Sequence, residues 1–247
     1  MATSNSEKPS EKSPDSNASN GRLSEKPIIF LIHGVMTGNS IWSDNFLPWL
    51  EEKGYRVCAP SLPCHGEKFD PFMLQTQTIE SYLDFLVSEI EKLPEPPVVM
   101  GFSMGGALLA RLVEKIEIKS VVFVCSLPLQ GGGALCMQKI SEGKLFSWSP
   151  GVLGVLANER LKEVLHAESA IVLSQLSLPY SPGIELQKKS VLVVASAADD
   201  FVPEILQRQM AEQISADYLL LENAGHCFML EQNWQQHLIK IEKWISA

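Results

Sequence analysis

Ser103 stands in Gly101-Phe102-Ser103-Met104-Gly105, a G-x-S-x-G pentapeptide. Three fixed positions at ordinary residue frequencies recur by chance in about one chain of this length in ten. The pentapeptide alone therefore decides little, and its flanks decide more. The apolar stretch 97–101 ahead of it reads as a strand, and 104–115 after it as a helix, with Leu108, Leu109, Leu112 and Val113 at helical spacing. A serine on so tight a strand-to-helix turn needs neighbours without bulk, and Gly101, Gly105 and Gly106 supply them. Such a turn lifts the hydroxyl to the carboxyl end of its strand, where open α/β sheets bind ligands.

A serine hydroxyl is a poor nucleophile at neutral pH. It needs a base, and the base needs an acid to orient it. His226, in Gly225-His226-Cys227, follows the apolar run Asp217–Leu221 and precedes the last helical pattern. That places it in a loop at a strand's carboxyl end, on the same rim as Ser103. The other histidines fit the role less well. His237 falls mid-helix and reads as packing or surface, and His166 lies in an inserted segment. His33 and His65, each followed by glycine, read as structural groups that hold the rim by hydrogen bonds. For the acid, Asp199 and Asp200 both follow the run Ser190–Ala195, whereas the run ending at Cys125 continues Ser126-Leu127-Pro128 without a carboxylate. Developing negative charge on a substrate carbonyl needs backbone N–H donors. Met104, at a helix N-terminus, offers one, and Val35, in the loop His33-Gly34-Val35-Met36-Thr37-Gly38, offers the second.

These groups need a frame. The runs Ile28–Ile32, Arg56–Ala59, Pro97–Gly101, Ser120–Cys125, Ser190–Ala195 and Asp217–Leu221 are short and mostly apolar, the pattern of strands buried on both faces. Helical stripes alternate with them: Ile79, Tyr82, Leu83, Leu86, Val87, Ile90 and Leu93 behind a capping Thr78, and Trp234, Leu238, Ile241, Trp244 and Ile245 near the end. Alternating strand and helix predicts a doubly wound α/β sheet in residues 27–247. Residues 127–188 break the rhythm and read as a helical cap, entered through a flexible Gly131-Gly132-Gly133. Met36 on the rim, with Met137, Phe146, Trp148 and Leu153 of the cap, are candidate pocket-lining residues. Residues 1–26 are rich in serine, and Met1 and Leu23 are their only large apolar side chains, so this tail is expected to be disordered.

Composition narrows the partners. A net charge of −9 argues against nucleic acid, which requires a basic face. No apolar run approaches the ~18 residues of a membrane span. The five cysteines include no C-x-x-C pair and read as free thiols, with no metal site or other cofactor implied. A cytoplasmic location is expected. Plastid targeting by the serine-rich tail is the alternative, opposed by Glu7, Glu11, Asp15 and Glu25. Monomer and dimer both remain open.

Taken together, Leu31-Ile32-His33-Gly34, Pro60-Ser61-Leu62-Pro63-Cys64-His65-Gly66, the Ser103 pentapeptide with Gly106, Asp199-Asp200-Phe201-Val202-Pro203 and Ala224-Gly225-His226 resemble the α/β-hydrolase superfamily over nearly all of residues 27–247. The resemblance implies an α/β-hydrolase fold in a minimal form, a six-stranded, mostly parallel sheet with an inserted helical cap. It favours Asp199 over Asp200, because members commonly carry the acid four residues before a proline, here Pro203. Relatives usually have glycine where Cys64 stands, so Cys64 is strained if the backbone there turns left-handed. Related dehalogenases and epoxide hydrolases carry aspartate at the nucleophile position. Serine instead implies a compact esterase or lysophospholipase-like enzyme that cleaves a small uncharged carboxylic ester or thioester through an acyl-enzyme. A slow, receptor-like ligand binder and an acyltransferase are the alternatives.

Overall fold

The computed structural model describes residues 26–132, 135 and 165–247. Six parallel strands form one sheet: β1 (Ile28–Ile32), β2 (Arg56–Cys58), β3 (Val98–Phe102), β4 (Ser120–Val124), β5 (Ser190–Ser196) and β6 (Asp217–Leu221), in the spatial order β2-β1-β3-β4-β5-β6. Every neighbouring pair is parallel. The strands match the apolar runs to within a residue or two at their ends. β1 and β3 are buried along their whole length, as continuous apolar sequence requires, whereas β2 and β6 are partly exposed. Their place at the two edges explains this, since each has a neighbour on one side only.

The pleat sends alternate side chains to two cores. Ile29 and Leu31 join one core, with Ile41 and Trp42 of α1 (Ser40–Ser43), Phe46 and Leu50 of α2 (Phe46–Glu52), and helix residues Leu238 and Ile241. Phe30 and Ile32 join the other, which also takes in Tyr82, Leu86, Leu108, Leu112 and Met210. Each such side chain, fully withdrawn from water, contributes roughly 1.5–3 kcal/mol. A short helix, α3 (Pro71–Leu74), precedes α4 (Ile79–Ile90), which begins this second layer. Thr78 caps α4, accepting from the Ser81 amide while the Ser81 hydroxyl accepts from the Thr78 amide. After α5 (Met104–Leu112), the segment between β4 and β5 carries α6 (Ala170–Leu176) and α7 (Ile184–Gln187). After β5 come α8 (Glu204–Gln213) and, beyond β6, α9 (Trp234–Ile245).

One expectation needs correction. Gly131 and Gly132 are not a loose entry to the inserted segment. Both are buried; the Gly132 amide donates to Leu176 O, and a Cβ at Gly131 would sit 2.6 Å from the carbonyls of Ser177 and Leu178. Glycine is needed there for a left-handed turn (φ 85°) against the end of α6, not for freedom of movement.

Register decides where the site lies. Ile32 pairs with Gly101, and Ser196 pairs with Leu221, so β1 and β3 end level with each other, as do β5 and β6. Chain order reverses at β1, which has β2 on one side and β3 on the other. This is the kind of crevice where doubly wound sheets bind ligands.

Candidate active site

Ser103 sits between β3 and α5 at φ 53°, ψ −114°, outside the regions an L-residue ordinarily occupies. The turn is held by close approach. A Cβ at Gly105 would lie 2.5 Å from Ile32 O and 2.6 Å from His33 O, so only glycine lets α5 start against the end of β1. The Ser103 amide donates to Val124 O, which ties the turn to β4.

The loops after β5 and β6 meet this serine. His226 Nε2 is 3.1 Å from Ser103 Oγ, and His226 Nδ1 is 2.8 Å from Asp199 Oδ2. All three residues are buried. The second Asp199 oxygen, Oδ1, accepts from the Phe201 and Val202 amides, each at 2.8 Å. An oxygen that takes two backbone donors is that of a carboxylate, so Nδ1 carries the proton and Nε2 is left free to accept from the Ser103 hydroxyl. The imidazole is further held between the rings of Phe102 and Phe201, at 4.9 and 5.0 Å. The Glu231 carboxylate receives the Gly225 amide at 2.9 Å and so braces the loop beneath His226. Asp200, one residue beyond Asp199, is exposed.

The predicted amides lie on the same rim. Met104 opens α5, where the first N–H groups have no intrahelical partner. A Cβ at Gly34 would meet the Phe102 ring at 2.8 Å and Ser103 Cβ at 3.2 Å, so the chain passes directly over the serine just before Val35. Among the described residues, the Val35 amide has no hydrogen-bond acceptor. Met36 is half-buried next to it. The other pocket candidates, Met137, Phe146, Trp148 and Leu153, lie outside the described residues, as does Cys136.

Cys64 does adopt a left-handed backbone, at φ 64°, and bears the strain anticipated for it. Cys125 Sγ, with the ligating atoms of Asp199 and His226, forms a trio within 4.8 Å, the one possible metal-ligand cluster among the described residues. Its atoms are already committed to one another and to Ser196, 3.2 Å from the Cys125 thiol. Burial, then the Asp199 charge, push the Cys125 thiol well up, and the Cys227 thiol is pushed up for the same reasons. Both cysteines are therefore protonated packing groups.

The profile described as Alpha/beta hydrolase family matches residues 29–236, most of the chain. The chain belongs to the alpha/beta hydrolase family. Three solved hydrolases show the likeness in three dimensions. Polyneuridine aldehyde esterase superposes with a TM-score of 0.70 at 19% identity over 90% of this chain and 100% of that one. A methylesterase from Arabidopsis gives 0.70 at 16% over 89% and 99%. The monoacylglycerol lipase of Paleococcus ferrophilus gives 0.67 at 17% over 89% and 95%. Among curated proteins, none matches the sequence. No described helix of this hydrolase-family chain is long and apolar enough to cross a membrane.

The sequence did not single out Glu168 or Glu231 for the rim. Glu231 lies six residues before His237, in a turn without periodic pattern, and its bond to the Gly225 amide appears only in three dimensions.

Proposed function

We propose that this protein is a serine hydrolase of carboxylic esters or thioesters, acting through an acyl-enzyme on Ser103. The observation that carries the reading is the unbroken chain Ser103 Oγ–His226–Asp199, at 3.1 and 2.8 Å. Ser103 Oγ attacks the carbonyl carbon as His226 Nε2 takes its proton, and Asp199 steadies the resulting imidazolium. The carbonyl oxygen, now negative, accepts from the Val35 and Met104 amides. Collapse expels the alcohol or thiol, which takes the proton back from His226. Water then repeats the cycle on the acyl group and frees Ser103.

The structural relatives, an esterase, a methylesterase and a lipase, agree with an ester substrate. An uncharged substrate is favoured by where the described guanidinium groups lie. Arg111 stacks on Tyr180, Arg208 pairs with Glu204, and Arg56 opens β2 at the end of the sheet away from Ser103.

The test is a fluorophosphonate probe with the adduct mapped by mass spectrometry. Labelling at Ser103 that disappears in Ser103→Ala, together with hydrolysis of short p-nitrophenyl esters, is expected. A folded protein that takes no probe and cleaves no ester overturns the reading.

A further inference from the structure

A second buried polar cluster lies beside the site, and none of the acyl-transfer steps uses it. At its centre is Glu168, whose side chain is 1% exposed. Its Oε2 receives the Met36 amide at 3.1 Å and faces His65 Nε2 at 3.0 Å. Its Oε1 receives the Tyr82 hydroxyl and the Ser169 amide, each at 2.9 Å. Two of these four partners are backbone amides that can only donate, which makes Glu168 the acceptor throughout.

The histidines sort themselves by the same logic. His65 Nδ1 faces Pro63 O at 2.9 Å and must donate there, so donation from Nε2 to the carboxylate makes His65 an imidazolium. His33 donates from Nδ1 to Gly34 O and accepts the Leu62 amide at Nε2, and is neutral. His166 donates from Nδ1 to Ala167 O and accepts the Gly66 amide, and is neutral as well. Their rings stand 5.1 and 4.9 Å from that of His65. One buried charge pair, Glu168 with His65, is thus surrounded by groups that carry no charge. Burial alone would raise the Glu168 carboxyl, but the hydrogen bond and charge of His65, with the Ser169 and Met36 amides, outweigh it and bring it below the usual range.

The consequence falls on Met36. Its amide is held by Glu168, and its carbonyl receives the His166 amide at 2.9 Å. Both backbone groups of the residue after Val35 are clamped by residues 166–168, more than a hundred positions away, with Met36 at φ 60°. Holding the Val35–Met36 peptide plane restricts the amide before it, from which only the φ and ψ of Val35 separate it.

We propose that Glu168 is a positioning residue for acyl transfer: by holding the Met36 amide through a carboxylate balanced by His65, it aims the Val35 N–H at the oxyanion. This rests on the reading that Ser103 is acylated and that Val35 is one of the two donors. Glu168→Gln separates the roles. With its amide nitrogen toward His65, the new side chain donates to a neutral His65 and still accepts at Tyr82 and Ser169, but it opposes the Met36 N–H donor to donor. The reverse orientation would leave a buried imidazolium without a counter-charge, and is disfavoured.

The experiment uses the full chain, with p-nitrophenyl butyrate for kcat and KM, the fluorophosphonate for the labelling rate at Ser103, and hydrogen exchange at the Met36 amide. Loss of a whole oxyanion donor lowers kcat about 10²- to 10³-fold. Misaiming one is expected to lower kcat and labelling about 10- to 100-fold, with KM within about threefold and Met36 exchange faster. Tyr82→Phe, which removes a different Glu168 donor, is the control for stability alone, with kcat expected within about threefold. Glu168→Gln with wild-type kcat and labelling, or equal kcat losses in the two variants, overturns the positioning role while Ser103 acylation stands. A wild-type protein that takes no label at Ser103 overturns both.

Discussion

Asp199 differs from its neighbour in what holds it. Its Oδ1 is fixed by the Phe201 and Val202 amides, so Oδ2 has one remaining task, the proton on His226 Nδ1. Asp199→Asn keeps the size and the two amide bonds but turns an NH2 toward the imidazole. The ring must then carry its proton on Nε2, where it cannot accept from Ser103. A drop in kcat of about 10⁴-fold is expected, with the fold intact by circular dichroism. Asp200→Asn, one position on and exposed, is expected to stay within about threefold. If steady-state kinetics show Asp200→Asn to be the more damaging change, the acid has been misassigned.

At the scale of elements, the site depends on how closely α5 starts against β1. Gly105 has no room for a Cβ beside Ile32 O and His33 O, and backbone carbonyls cannot swing aside as a flexible side chain can. Gly105→Ala is expected to cost about 2–3 kcal/mol in urea unfolding and to slow labelling of Ser103, because relief comes only by moving the helix that carries the nucleophile. Gly132→Ala is the matched control, its nearest neighbour lying 3.7 Å from the new atom, and is expected within about 0.5 kcal/mol. Similar losses in both variants would show that the cost does not come from the contact with the β1 carbonyls, since the entropy change of Gly→Ala alone favours the fold. This also bears on what the sequence could say. Gly101 and Ser103 are legible because their constraint is local, one turn with its required residue types, and Gly105 is legible as part of the same pentapeptide although the chain that crowds it is β1. His226 and Asp199 are legible because strand ends of a parallel sheet share one rim, so an apolar run points to where its following loop must lie. Glu168 was hidden because no local pattern marks it. It lies within the insertion, which has no clear periodicity, and all its partners but Ser169 lie about a hundred positions upstream. Gly131 was misread for a related reason, since a glycine needed for a close approach and one in a loose linker look alike until the approaching chain is known.

Across the whole molecule, buried histidines set how stability responds to pH. His237 is buried in α9 against the Phe228 ring, with no hydrogen-bond partner among the described residues for either nitrogen. Burial, and then Lys240, lower its pKa. His33 is lowered to about 3, by burial first and then by the charge on His65. In the unfolded chain both titrate near the ordinary value of about 6.5. As pH falls through that value, the unfolded state takes up protons that the folded state refuses, so stability declines; for His33 the decline continues to about pH 3. Each group contributes at most about 1.4 kcal/mol per pH unit. Between pH 7.5 and 5.5 His33 alone is expected to lower Tm by about 3–5 °C in a domain of this size, and His237 adds to that drop in the same direction. His237→Leu removes one of them and also a buried imidazole with nothing to bond. Differential scanning calorimetry should find its Tm about 2–4 °C above wild type at pH 7.5, with a smaller drop on acidification. A drop of unchanged size would show that His237 takes up its proton as readily in the folded state as in the unfolded one, and the acid response between pH 7.5 and 5.5 would then belong to His33.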